Sequence, residues 1–484
     1  MELFNLTIHQ IKEKLEKKEI KAVEVLESTL KRIDDVEGEI GAYITLTKDM
    51  AYEKAKRINK KIENNRFIGL LGGIPMSIKD NIYTEGILTT CASKMLQDFI
   101  PTYSATVFEK LLKEDAVMLG KANMDEFGMG SSTETSFYKK TKNPWDMSKV
   151  PGGSSGGSAS AVAAGEAFFS LGSDTGGSIR QPGAFCGVVG LKPTYGLVSR
   201  YGLVAVANSL DQIGPITKDV EDCALILNII SGHDSRDTTS DRRGKTDYLQ
   251  ALGGGVKGLK IGIAEQYFDE NLDKPVEDAL LEAIEIFGDL GAICEAVSLP
   301  HTKYAMAVYY IISQSEISIN LSRFDGVKYR YKISNYKNTD ELISNAGGEG
   351  FGEEVKKRII MGTQWLSGSN YKNYYEKAVK IREFIKRDFS DAFAEYDIIL
   401  APVTATTAFD MGSGCNTPAE KHKTDGYTVA ASLAGIPAIS IPCGLHEGLP
   451  IGMQLMGKMF DESTLLRTAK AFEGSTDFNG RADL

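Results

Sequence analysis

Between Thr7 and Ile33, apolar residues recur at three- and four-residue spacing among Lys and Glu, which predicts amphipathic helix with Thr7 as its N-cap. The whole stretch 7–65 reads as helical. The period then changes. Short apolar runs at Ile74–Ile78, Ala116–Leu119, Leu259–Ala264, Ala292–Leu299, Asp397–Leu400, Ile436–Ile441 and Pro450–Met456 predict strands. Thr106–Lys113, Pro275–Leu290 and Glu462–Glu473 predict helices. Strands alternating with helices point to an α/β fold. Tyr304–Lys386, rich in Tyr, Lys, Glu and Ser, reads as a helical insertion or cap on that core. Asp234–Gly255 and Asp410–Thr424 read as surface loops. The domain plan is an N-terminal helical segment, 1–65, packed on a main unit, 66–484.

Composition narrows the class. With 484 residues, 42% hydrophobic and 25% charged, the chain can bury a large core without disulfides or metal. A net charge of −10 suits a phosphate backbone poorly, so nucleic acid is not expected to be gripped by this chain alone. Cys91, Cys186, Cys223, Cys294, Cys415 and Cys443 are scattered with no C-x-x-C pair, which fits reduced thiols and no metal site. The start lacks a basic and then apolar leader, and no apolar run reaches membrane-span length. A cytoplasmic location is expected.

One window breaks the average. Residues 150–215 hold 14 of the 49 Gly but only six charged residues: Glu166, Asp174, Arg180, Lys192, Arg200 and Asp211. Two Gly-Ser clusters lie in it, Gly152–Ser158 and Gly172–Ser178. A flexible linker would not lead into Ala159-Ser160-Ala161-Val162-Ala163-Ala164, a small-residue helix suited to close packing. A phosphate nest is conceivable in Gly-rich turns, yet neither the P-loop nor the dinucleotide fingerprint is present. Gly152–Gly156 also satisfies the G-x-S-x-G elbow of serine hydrolases. That chemistry needs a later acid and histidine, and neither His233, His301, His422 nor His446 has an obvious acidic partner. Ser136–Lys139 fits S-x-x-K, without the K-T-G that should follow. The last alternative uses lysine. Lys79 ends the apolar run Ile74–Ile78, where partial desolvation would lower its pKa and free an amine to act as a base.

Lys79, Gly152–Ser158 and Ser178-Ile179-Arg180-Gln181-Pro182-Gly183 together resemble the amidase signature family, with the two serines 24 residues apart. Asp125–Glu134, Leu191–Gly196, Ser209–Pro215 and Leu321–Gly326 are similar to one branch of it, the glutaminase (A) subunits of tRNA-dependent amidotransferases. The resemblance covers nearly the whole chain. Its clearest departure is Val429–Ser432, where the family usually has a Pro and an Asn.

The resemblance implies a large mixed β-sheet flanked by helices on both faces. It implies Ser178 as nucleophile, Ser154 as relay after a cis peptide bond, and Lys79 as base. The backbone N–H groups of Thr175, Gly176, Gly177 and Ser178 would then form the oxyanion hole. Glutamine is the implied substrate. Arg358 would take its carboxylate, Asp425 its ammonium, and Tyr309, Met129 and Gly130 would line the pocket. Taken without the resemblance, Arg358 reads as part of an exposed basic helix face. The ammonia released would serve a partner B subunit that uses ATP and Mg²⁺ to amidate misacylated Glu-tRNA(Gln), with a small C subunit completing a heterotrimer. A free-standing amidase for another small amide is the competing reading.

Overall fold

The computed structural model describes residues 2–329, 331, 333–413, 418–478 and 482. Eleven strands among them form one mixed sheet. In chain order they are β1 (Tyr43–Leu46), β2 (Pro75–Lys79), β3 (Val117–Ala122), β4 (Phe169–Asp174), β5 (Val189–Lys192), β6 (Gln212–Thr217), β7 (Lys260–Ala264), β8 (Ile293–Val297), β9 (Ile398–Pro402), β10 (Ala438–His446) and β11 (Leu449–Gly457). The spatial order is β1-β3-β2-β4-β6-β5-β10-β11-β9-β7-β8. β3-β2-β4 and β9-β7-β8 run parallel, and the remaining neighbours are antiparallel.

Successive side chains on a strand face opposite ways, and two hydrophobic clusters divide accordingly. Ile398, Leu400, Ile439 and Leu455 belong to one; Ile399, Ala401, Ala438 and Met456 belong to the other. The first is covered by helices 8–16, 22–40, 48–63, 220–230, 274–289 and 462–473. The second is covered by helices 305–321 and 376–395 of the insertion and by the short helix 429–434. The sheet is therefore flanked on both faces.

Most predicted elements fall where the pattern puts them. Thr7 is the N-cap of helix 8–16, and its N–H donates to Gln10 Oε1 at 3.1 Å. Differences cluster where glycine replaces the usual strand formers. The stretch 7–65 is not wholly helical. Gly41 ends helix 22–40 in the left-handed conformation, and Tyr43–Leu46 then joins the sheet edge. β4, β5 and β6 lie inside the Gly-rich window and carry no alternating pattern, because every residue in them is buried. Gly172 of β4 pairs directly with Gly214 of β6, and a Cβ at Gly214 would collide with the Leu191 carbonyl of β5. Close backbone approach, rather than β-propensity, selects the residues there.

Of the two expected loops, 234–255 contains a turn of helix at Tyr248–Ala251. In 410–424, residues from Pro418 on are helical to Asp425, while 414–417 lie outside the described residues. Cys415 falls in that gap; Cys91, Cys186, Cys223, Cys294 and Cys443 are free thiols. No helix among the described residues is long and apolar enough to cross a membrane.

Candidate active site

β2 and β4 are parallel neighbours, with Met76 opposite Phe169 and Ile78 opposite Leu171. They therefore end on the same side of the sheet. Lys79 is the last residue of β2, and the loop 175–179 leaves β4 beside it. Both Gly-Ser clusters turn into helices there, 156–163 and 180–185. A Cβ at Gly157 would strike the backbone of Asn123 and Ala42, so only glycine lets the first helix approach this closely.

Lys79 is fully buried. Its Nζ lies 2.8 Å from Ser154 Oγ, 2.7 Å from Ser155 Oγ and 3.2 Å from the Ser173 carbonyl. Burial pulls its pKa down to about 7, against the opposing pull of the Asp125, Asp174 and Asp211 carboxylates. The neighbours decide what a neutral amine does here. The Ser173 carbonyl has no proton, and Ser155 Oγ–H is given to that same carbonyl at 3.2 Å. Both can accept from the two N–H bonds. Ser154 alone remains to donate its hydroxyl proton to the lone pair.

The Gly153–Ser154 peptide is cis. Ser154 is held from outside by the loop 125–133: Asp125 N–H donates to the Ser154 carbonyl at 3.2 Å, and the Asp125 carboxylate accepts from Thr133 N–H and Thr135 Oγ1, both at 2.9 Å. Ser155 N–H donates to the Ser178 carbonyl at 3.1 Å, docking the second cluster on the first. Ser178 is half-buried, whereas Lys79, Ser154 and Ser155 are buried, so the expected nucleophile is also the accessible member.

The loop after β4 is fixed by a buried ion pair. Arg180 Nε and Nη2 donate to the two Asp174 carboxylate oxygens, each at 3.0 Å. Burial alone would raise the Asp174 pKa, but Arg180 reverses this and holds it below the ordinary value. Asp174 in turn accepts the N–H of Gly177 at 2.7 Å and of Ile179 at 3.2 Å. Gly177, one of the four residues expected to offer an oxyanion donor, thus has its N–H bonded to Asp174. Among the described residues, no acceptor is found for the N–H groups of Thr175, Gly176 and Ser178. Thr175 Oγ1 donates to Asp211 at 2.7 Å, and burial raises that carboxyl to about 6.

The expected glutamine-binding residues converge beside this loop. Tyr309, on helix 305–321, lies over Gly176: a Cβ there would sit 2.5 Å from Tyr309 Cζ. Burial raises the Tyr309 phenol, Arg358 opposes the rise and Asp425 adds to it, so both charges act on this ring. Arg358 is 8% exposed, not on an open basic face, and its Nε donates to Glu354 Oε1 at 2.8 Å. Asp425 ends helix 418–425 and is partly buried. The Met129 side chain is buried in the apolar cluster that also holds Phe127, and its N–H donates to the Glu126 carbonyl at 3.0 Å; Gly130 is half-buried. The departure at 429–432 is absorbed here, since Ser432 Oγ accepts from Arg180 Nη2 at 2.9 Å.

Sequence reasoning gives no role to Ser155, Asp125, Asp211 or Thr428, whose hydroxyl donates to the Gly176 carbonyl at 2.6 Å. Adjacent serines in a Gly-Ser run give no signal for which one meets a lysine. The serine-acid-histidine alternative finds no support: His9 and His301 pair with Asp222 and Asp388, and among the described residues no histidine bonds to Ser154, Ser155 or Ser178. The His422 side chain lies outside the described residues.

Comparison with known proteins agrees with the geometry. The Amidase family profile matches residues 24–466. The chain is 53% identical over 481 residues to the A subunit of the glutamyl-tRNA(Gln) amidotransferase of Thermoanaerobacter pseudethanolicus, covering 99% of this chain and 98% of that one. A protein of the same name from Bacillus licheniformis is 53% identical over 477 residues, covering 99% and 98%. Among solved structures, the protein of that name from Thermotoga maritima is 40% identical with a TM-score of 0.80, covering 99% of this chain and 96% of that one. A bacterial aryl acylamidase of the amidase signature family is 26% identical with a TM-score of 0.86, covering 98% and 97%. Lys79, the cis-linked Ser154 and the Ser178 loop thus stand in a chain that belongs, by profile and by full-length relatives, to the amidase signature family.

Proposed function

We propose that this chain is the glutamine-hydrolysing subunit of a tRNA-dependent amidotransferase. The observation that carries the chemistry is the buried Lys79 amine 2.8 Å from Ser154 Oγ, which among its described hydroxyl neighbours is the one not already donating to a carbonyl. In this reading Ser178 Oγ attacks the side-chain amide carbon of glutamine. Its proton passes to Ser154 Oγ as the Ser154 proton passes to Lys79 Nζ. The carbonyl oxygen becomes an oxyanion facing the free N–H groups of the 175–178 loop. Lys79 returns its proton through Ser154 to the departing nitrogen, and ammonia leaves an ester on Ser178. Water, deprotonated along the same path, releases glutamate. Arg358 and Asp425 hold the substrate's carboxylate and ammonium, with Tyr309 closing the pocket. The names of the curated relatives support the choice of glutamine and of a multi-subunit assembly. The B subunit would supply the ATP and Mg²⁺ chemistry on Glu-tRNA(Gln), and the C subunit would complete the heterotrimer. The net charge of −10 favours tRNA being gripped by the partner.

The test is glutamine-dependent amidation of Glu-tRNA(Gln) by the assembled subunits. Ser178→Ala should abolish amidation from glutamine and leave amidation from added ammonia intact. Full glutamine activity in that variant would refute the nucleophile. Hydrolysis of apolar amides with none of glutamine would favour the free-standing amidase.

The rate should depend on pH through Lys79. Its neutral form is the active one, and its pKa lies at about 7. The kcat/KM for glutamine should therefore rise about tenfold per pH unit below that point and level off above it. A profile falling with pH across the same range would contradict a lysine base.

A further inference from the structure

The peptide unit between Gly176 and Gly177 is gripped at both ends. Its carbonyl accepts the Thr428 hydroxyl at 2.6 Å, and its N–H donates to Asp174 at 2.7 Å. The N–H groups left without acceptors belong to the residues around it, Thr175, Gly176 and Ser178. Gly177 sits at φ +136, where side chains rarely go, and a Cβ there would collide with Thr428 Oγ1. Glycine permits this conformation but does not enforce it. Enforcement must come from the two hydrogen bonds. If the carbonyl were released, this plane could rotate and its oxygen could turn toward the place where the substrate's own oxygen becomes negative.

Thr428 is well built for that task. It is fully buried. Its carbonyl accepts Arg180 Nη1 at 2.9 Å, tying it to the same ion pair that holds the far end of the peptide. Its N–H donates to the carbonyl of Asp425 at 3.2 Å. One turn of chain thus carries both the carboxylate expected to take the substrate ammonium and the hydroxyl that fixes the oxyanion loop.

We propose that Thr428 is a positioning residue that locks the Gly176–Gly177 peptide and so keeps the oxyanion hole ready for the transition state. This rests on the reading of Ser178 as nucleophile and glutamine as substrate. The lock acts on the transition state, since the oxygen it serves is uncharged in bound glutamine.

The experiment compares Thr428→Val, which keeps the shape and removes the donor, with Thr428→Ser, which keeps the donor. With the full chain assembled with its partner subunits, Thr428→Val should lower kcat for glutamine about 10- to 100-fold with KM nearly unchanged. Thr428→Ser should restore most of the rate. Amidation from added ammonia should be unaffected in both. Labelling of Ser178 by a fluorophosphonate, whose phosphoryl oxygen uses the same N–H groups, should slow in parallel with kcat. A Thr428→Val enzyme as fast as wild type, a loss carried by KM, or a Thr428→Ser variant as slow as Thr428→Val would each overturn the proposal. If Thr428→Val does not fold, Thr428→Ala removes the hydroxyl without a methyl against the carbonyl and carries the same comparison. If wild type fails to hydrolyse glutamine, the assigned substrate is wrong, and the labelling rates still decide the role of Thr428.

Discussion

Lys79→Met should lower glutamine hydrolysis by about 10⁴-fold or more, the scale seen when one member of a proton-transfer set is removed. The methionine side chain fills the same buried space at the end of β2, so the fold should persist. What disappears is the lone pair to which Ser154 gives its proton. Ser155 cannot replace it, because a neutral hydroxyl oxygen is far too weak a base to take the proton. Lys79→Arg should be nearly as damaging, since a guanidinium stays charged and offers no acceptor. The measurement is glutamine turnover by each variant, with ammonia-supported amidation as the control for assembly. Retention of more than about a tenth of wild-type turnover in Lys79→Met would remove lysine from the mechanism.

The second large effect is on stability. Arg180 is fully buried, and its guanidinium satisfies both oxygens of Asp174, the Thr428 carbonyl, Gln454 Oε1 and Ser432 Oγ. Arg180→Met should destabilise the protein by about 3–5 kcal/mol, because it strands the fully buried Asp174 charge without its partner. The folded protein would then favour protonated Asp174, which weakens the grip on the Gly177 and Ile179 N–H groups. Asp174 has a lowered pKa in the native protein, so its contribution is present above the ordinary carboxylate range and is lost as pH falls through the lowered value. The Arg180→Met variant should lose that acid-side dependence. Urea unfolding with and without Asp174→Asn makes the check: the double variant should recover part of the loss, and a single-variant loss below about 1 kcal/mol would mean the charge finds another partner.

How much of this is legible in the sequence follows from what each residue must do. Helix 106–113 answers to periodicity because one face of it meets a large apolar cluster, and β9 and β11 read as short apolar runs because both their faces meet one. β4, β5 and β6 do not, because three backbones are pressed together and glycine takes the positions where Val or Ile would signal a strand. The family resemblance points to Lys79, Ser154 and Ser178. It does not supply the second hydroxyl on Lys79, which depends on how the Ser155 turn folds against the end of β2, or the local bond from Gly177 N–H to Asp174. Arg358 shows the reverse case. Its neighbours Lys356 and Lys357 suggest a solvated face, yet helix 353–366 turns the arginine alone inward, where it meets Glu354.

The parallel pair β2 and β4 brings Lys79 and the Ser178 loop to one edge of the sheet, while Tyr309, Arg358 and Asp425 arrive from far later in the chain. In the proposed function, bond cleavage and the grip on the ligand's two charged ends therefore draw on separate stretches. Exchanging residues 305–425 for those of a relative with another diet should redirect which amide is cut while leaving the scissors untouched.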